Sequence, residues 1–242
     1  MRIWFLILSA VVIGSPAFAQ YESIADLKVA KPEDKQDAKS TPAPSGALVL
    51  FDGKNLDQWV KRNDPKTTAT WKLLDGGIMQ VNGGDIITKE LFDGSFTLHV
   101  EFRVPYMPKA SGQGRGNSGV YLQGRYEVQV LDSYGLDSKD NDCGGIYTIA
   151  KPLVNACKAP TVWQTYDIDY TSPKFVDGKK TEPGHITVLH NGVKIHDNVT
   201  ITKDNTTSGL GGDPSKPGPI LLQDHGNPVQ YRNIWLVKKT AK

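Results

Sequence analysis

Between residues 95 and 104 the chain alternates strictly: Phe96, Leu98, Val100 and Phe102 take every second position, and Thr97, His99, Glu101 and Arg103 fill the gaps. Side chains of an extended strand point to opposite faces in turn, so this run has one apolar and one polar face and does not fit a helical period. The same character recurs along the chain. Apolar runs are short, glycine and proline punctuate them, and no 3.6-residue period persists beyond two turns. Further strands are predicted over 48–51, 70–74, 78–81, 85–88, 120–123, 126–131, 162–170, 185–189, 193–196, 220–222 and 232–237. Asn191-Gly192, between two of them, predicts a tight hairpin. About a dozen strands exceed what one open sheet holds without curling, so the fold class expected is all-β, a sandwich of two antiparallel sheets.

The ends of the chain read differently. Residues 1–19 join Arg2, an apolar stretch over 3–13 and Ala17-Phe-Ala19, the layout of a cleavable secretory signal. That stretch is short for a membrane span and nothing later replaces it, so a periplasmic or secreted protein without membrane insertion is expected. Residues 20–45 are rich in Lys, Asp, Ala and Pro without an apolar period and read as a flexible leader. Residues 46–242 then form one domain. The formal net charge of +2 falls to +1 once Arg2 is removed, which leaves no field to attract nucleic acid; a small neutral ligand fits better.

Export also favours a disulfide between Cys143 and Cys157, the only two cysteines, worth up to about 3 kcal/mol by loop closure. Two buried free thiols are the alternative. Metal binding through this pair is the least favoured reading, because there is no C-x-x-C spacing and no histidine between them.

Chemistry concentrates in Gly116-Asn-Ser-Gly-Val-Tyr-Leu-Gln-Gly-Arg-Tyr-Glu-Val-Gln-Val-Leu-Asp132, where two short strands meet at Gly124 and Arg125. Glu127 and Gln129 share one face and Val128 and Val130 the other, an arrangement suited to holding a polyol. If the polar face of 95–104 lines the same surface, Glu101 and Arg103 join Glu127 and Gln129 in one groove. The plainer alternative is a solvated sheet face with cross-strand ion pairs. A two-carboxylate glycosidase strand is poorly matched, since Gln129 stands at the middle acid position, Leu131 at the last, and Asp132 is out of phase.

A second polar centre is Gln223-Asp-His-Gly-Asn227, where His225 ends a strand and can exchange protons near neutral pH. A capping turn histidine is its alternative reading. Asp132, Asp137, Asp140, Asn141 and Asp142 make an oxygen-rich loop whose spacing does not match a calcium loop. Trp163, Tyr166 and Tyr170 could stack on a sugar ring or fill core.

Six blocks then resemble one family. They are Leu50-Phe-Asp-Gly-Lys-Asn-Leu-Asp-Gln-Trp59, residues 116–132, Cys143-Gly-Gly-Ile-Tyr147, Trp163-Gln-Thr-Tyr-Asp-Ile168, Asn191-Gly-Val193, and Leu222-Gln-Asp-His-Gly226 with Arg232-Asn-Ile234. In this order they resemble the 3-keto-disaccharide hydrolase domain family. The resemblance implies a concanavalin-like jelly roll that cleaves 3-keto-glycosides. A ketone at C3 acidifies the C2 proton, so a base and an acid suffice and no nucleophilic carboxylate is needed. Carried onto these positions, it gives Glu127 or His225 the base and acid roles, with Asn117, Gln129 and Gln223 orienting hydroxyls; Glu101 and Trp163, from the strand-face and stacking readings, are further candidates for substrate binding. Arg103 or a divalent metal, calcium or another, would stabilise the enolate. A non-catalytic carbohydrate-binding module is the rival reading, since the same sandwich often only binds.

Overall fold

The computed structural model describes residues 20–239; the predicted secretory signal, 1–19, lies outside the described residues. Strands dominate, and the described helix amounts to two short 3-10 turns, Pro32–Lys35 and Gly112–Gly114. No helix among the described residues is long and apolar enough to cross a membrane.

The first sheet has eight strands: β1 (Leu48–Phe51), β4 (Lys72–Leu74), β5 (Ile78–Gln80), β7 (Ser95–Arg103), β10 (Gln164–Thr171), β13 (His185–His190), β14 (Val193–Thr200) and β16 (Gln230–Lys238). Their order is β14-β13-β10-β7-β16-β5-β4, with β1 also on β16. The second sheet has six: β2 (Trp59–Lys61), β3 (Asp64–Thr68), β6 (Ile86–Thr88), β8 (Asn117–Leu122), β9 (Tyr126–Leu131) and β15 (Leu221–Leu222), in the order β3-β2-β6-β15-β8-β9. All pairings are antiparallel, and β11 (Lys174–Val176) with β12 (Lys179–Glu182) forms a separate ribbon. The two sheets make the expected antiparallel sandwich.

Alternation decides what lies between the sheets. Phe96, Leu98, Val100 and Phe102 of β7 share one apolar core with Tyr126, Val128 and Val130 of β9. The intervening residues of each strand therefore point outward, on opposite sides of the sandwich. Asn191 and Gly192 both take positive φ, 52° and 79°, and close the predicted hairpin by pairing His190 with Val193.

Residues 20–45, which composition alone leaves flexible, cross the outer face of the first sheet and are tied to it. The Tyr21 hydroxyl donates to the carbonyl of Pro228 at 2.8 Å, Ala38 N–H donates to Trp163 O at 2.9 Å, and Thr41 O accepts from Trp235 Nε1 at 3.0 Å. Polar side chains under this strap supply partners that the composition does not reveal.

Candidate functional site

The strap lies over the polar face of β7. Glu101 is fully buried there, with Arg232 Nε 2.7 Å from one oxygen, Asn233 Nδ2 2.7 Å from the other, and the Ser40 hydroxyl and His99 beside it. Burial alone would raise its pKa; these four donors outweigh burial and hold it at about 2. Arg103 gives its Nε to Gln230 Oε1 at 2.7 Å and lies 4.8 Å from the Trp163 ring, and Arg232 lies 4.2 Å from the same ring. Trp163 thus packs against two guanidinium groups and is 4 % exposed. The groove that would join Glu101, Arg103 and Trp163 to Glu127 does not exist, because the two strands turn their polar faces to opposite surfaces of the sandwich. Glu101 thus has its charge met within a covered cluster, and Arg103 and Trp163 pack beside it against the strap.

The outer face of the second sheet is built otherwise. In the register of β8 and β9, Tyr121 faces Glu127, Gly119 faces Gln129 and Asn117 faces Leu131. From the other side, Leu221 of β15 pairs with Tyr121, and Gln223 N–H donates to Gly119 O at 3.0 Å. Gly119 is therefore the floor between Gln129 and Gln223. A Cβ added at Gly119 would run into Glu127 Oε1 and stand 2.8 Å from Tyr121 Cε2, so the bare backbone is what lets the carboxyl lie across the strand.

Three amide oxygens around this floor, Asn117 Oδ1, Gln129 Oε1 and Gln223 Oε1, are buried without a hydrogen-bond partner. Their amide nitrogens are committed. Asn117 Nδ2 donates to Gln113 O at 2.8 Å, Gln129 Nε2 to Gln113 Oε1 at 3.1 Å, and Gln223 Nε2 to the Tyr121 hydroxyl at 3.0 Å. A buried orphan acceptor costs free energy, so three on one face mark a place where a donor is to arrive.

Glu127 is 2 % exposed, and burial drives its pKa up to about 8; the Tyr121 hydroxyl pulls it down less than that, and Asp85 adds a further push upward. Asp85 is anchored by Arg62 Nη1 at 2.7 Å and by Asp224 N–H at 2.8 Å. Two flanks complete the surroundings. Thr206 Oγ1 accepts from Glu127 N–H at 3.1 Å, and the segment 144–147 pairs along β9, with Tyr147 N–H donating to Glu127 O at 3.1 Å. His225 follows Gln223 by two residues in the loop after β15 and is exposed, outside this buried group.

Three amide oxygens and a carboxyl could also surround a hard cation. Hydroxyl hydrogens of a sugar would satisfy the same orphaned oxygens. The acid-rich loop is used internally: Asp132 pairs with Arg115 at 2.8 Å and Asp142 accepts from Lys139 N–H at 3.0 Å. Cys143 and Cys157 are buried free thiols, so the expected disulfide is not formed.

Sequence reading missed Tyr121, Gln113, Gly119 and Asp85. Tyr121 and Gly119 were legible in principle, since both share the parity of Glu127's face across the turn at Gly124. Gln113 lies outside any strand and carries no period, and Asp85, first residue of the predicted run 85–88, falls just ahead of β6.

A profile of the 3-keto-alpha-glucoside-1,2-lyase-like domain matches residues 46–237. The chain belongs to this family. A crystal structure of a candidate glycosyl hydrolase from Parabacteroides distasonis is 41 % identical, with a TM-score of 0.74 over 82 % of this chain and 86 % of that one. Two further candidate glycosyl hydrolases of the same organism share the fold: one at 23 % identity and TM-score 0.54 covers 80 % of this chain and 99 % of that one. The other, at 19 % and 0.55, covers 81 % and 95 %. No curated protein matches. Membership in the lyase-like family places the chain among carbohydrate-active enzymes with a jelly-roll sandwich.

Proposed function

We propose that this 3-keto-glucoside-lyase-like domain cleaves 3-keto-glycosides by elimination across C1–C2 followed by hydration, with Glu127 as the base. The observation that carries the reading is the Glu127 carboxyl, with a pKa of about 8, lying over the Gly119 floor among three orphaned amide oxygens. A base of that strength suits a C–H acidified by a neighbouring ketone, and the amide oxygens would accept the remaining sugar hydroxyls.

In the step proposed, the Glu127 carboxylate takes the C2 proton and the C2–H pair moves toward the C3 carbonyl as an enolate. Collapse of the enolate forms the C1–C2 double bond and expels the C1 oxygen of the aglycone, which leaves with a proton. Water then adds across that double bond, so the net change is hydrolysis. His225, exposed in the loop two residues after Gln223, is the proposed donor to the leaving oxygen. Asn117, Gln129 and Gln223 are the proposed hydroxyl acceptors.

The test uses a 3-keto-glucoside deuterated at C2. Expected are release of 3-ketoglucose, exchange of the C2 label with solvent and a primary isotope effect on the elimination. Turnover with the label fully retained would exclude the mechanism. Binding without turnover of any 3-keto-glycoside would leave a carbohydrate-binding module in place of an enzyme.

A further inference from the structure

The loop between β9 and β10 brings Cys143 and Cys157 together in the interior. A ring nitrogen of His190, at the end of β13, reaches the same point, and the three ligand atoms lie within 4.8 Å of one another. All three residues are buried. The histidine missing between the cysteines in sequence is thus supplied from another strand of the first sheet.

The hydrogen bonding prepares this imidazole as a ligand. His190 Nε2 lies 2.9 Å from Gln164 Oε1, which also accepts from Lys158 N–H at 2.9 Å. That atom is the acceptor end of the amide, so the ring proton sits on Nε2 and Nδ1 carries the free lone pair. A ligating histidine commonly gives its other N–H to a carbonyl oxygen in this way. Cys143 Sγ is 3.1 Å from the Tyr166 hydroxyl, an oxygen next to the cluster.

We propose that Cys143, Cys157 and His190 bind a thiophilic divalent cation of the zinc class, which pins the β9–β10 loop beneath the candidate active-site strand. Two sulfurs and one imidazole select such an ion against calcium or magnesium, whose ligands are oxygens. The fourth position falls to water. A cavity of about 560 Å³ lined by Cys157, Asn155, Tyr134 and Asn191 gives it a route in. Binding replaces two S–H protons by two Zn–S bonds and needs no oxidant, whereas a disulfide would need one.

The location gives the ion a consequence for the site. Cys143 begins the segment whose Gly144 N–H donates to Gln129 O and whose Gly145 O accepts from Gln129 N–H, both at 2.9 Å. Tyr166, beside Cys143, donates to the same Gln129 carbonyl at 2.7 Å. A filled site therefore fixes the backbone from which Gln129 and Glu127 project.

The full chain, purified without chelator, is analysed for metal; then the stripped chain is titrated with Zn²⁺ and, separately, with Co²⁺. One zinc per chain is expected, with both thiols shielded from a thiol reagent until chelator is added. Cobalt should give thiolate-to-metal charge-transfer bands, a readout independent of activity. Cys157→Ser should abolish those bands, and Gln164→Ala should weaken zinc binding by about 10–100-fold. A purified chain lighter by two hydrogens, with both cysteines in a disulfide, overturns the proposal. So does a folded, reduced chain that takes up neither ion stoichiometrically.

Discussion

Glu127→Gln separates the working role of this carboxyl from its cost to the fold. The group has an ordinary pKa of 4.5 and about 8 in the folded chain, with burial as the main cause. The folded state thus keeps a proton that the unfolded chain has already lost. Its contribution to stability is complete below about pH 4.5 and declines as pH rises toward 8. At about 1.36 kcal/mol per pH unit, the whole interval corresponds to a ceiling of about 5 kcal/mol. Glutamine has the same shape and nothing to titrate. Urea unfolding of both proteins at steps from pH 4 to 9 is the assay. The wild-type unfolding free energy should fall across this range by several kcal/mol more than that of the variant, leaving the variant more stable at pH 9 and catalytically dead. Parallel stability curves would refute the burial argument, and retained elimination activity would remove Glu127 as base.

Tyr121→Phe removes the hydroxyl that pulls the Glu127 pKa down, so the rise of kcat/KM with pH should shift to higher pH; a shift downward would contradict the assignment. Gly119→Ala should cost about 1–3 kcal/mol by overpacking and, by displacing the carboxyl, turnover on the order of 100-fold, checked by unfolding and steady-state rates. Trp163→Ala should cost about 3–5 kcal/mol of stability and leave kcat of the folded fraction unchanged, because the ring sits in the covered cluster on the far face. Glu101→Gln should behave in the opposite sense to Glu127→Gln. The depressed Glu101 pKa, about 2 against 4.5, contributes up to about 3 kcal/mol that is present above pH 4.5 and lost as pH falls through 2, so the variant's deficit should shrink in acid.

The strands were legible because a period of two survives in single-sequence form. The runs at 48–51 and 126–131 agree with the structure to the residue, and 95–104 differs by one position. β2 and β3 escaped because Trp59–Lys61 is too short to show a period and Asp64–Thr68 contains Pro65 and charged residues, marks of an edge strand. The Gln20–Ser45 strap escaped for another reason. Its hold on the sheet comes from single groups, Tyr21, Asp37, Ser40 and Thr41, each matched to a distant partner. Composition measures how much apolar surface a segment can bury and is blind to such pairings.

Alternation assigns a side chain to a face of its own strand and says nothing about which surface of the sandwich that face becomes. Glu101 and Glu127 look alike in sequence, each an acid between apolar neighbours with a polar residue two positions on. The structure separates them by what surrounds them. Glu101 has its charge answered by Arg232, Asn233, Ser40 and His99 and is ionised well below neutrality. Glu127 has one hydroxyl beside it, keeps its proton to about pH 8, and shares its face with three amide oxygens that nothing satisfies. Saturation is the signature of a group that holds the fold together, and unmet bonding capacity around a perturbed acid is the signature of one that awaits a ligand. On that criterion the outer face of β8, β9 and β15 is the proposed working surface, and the acid, arginine and tryptophan on the opposite face lie under the strap.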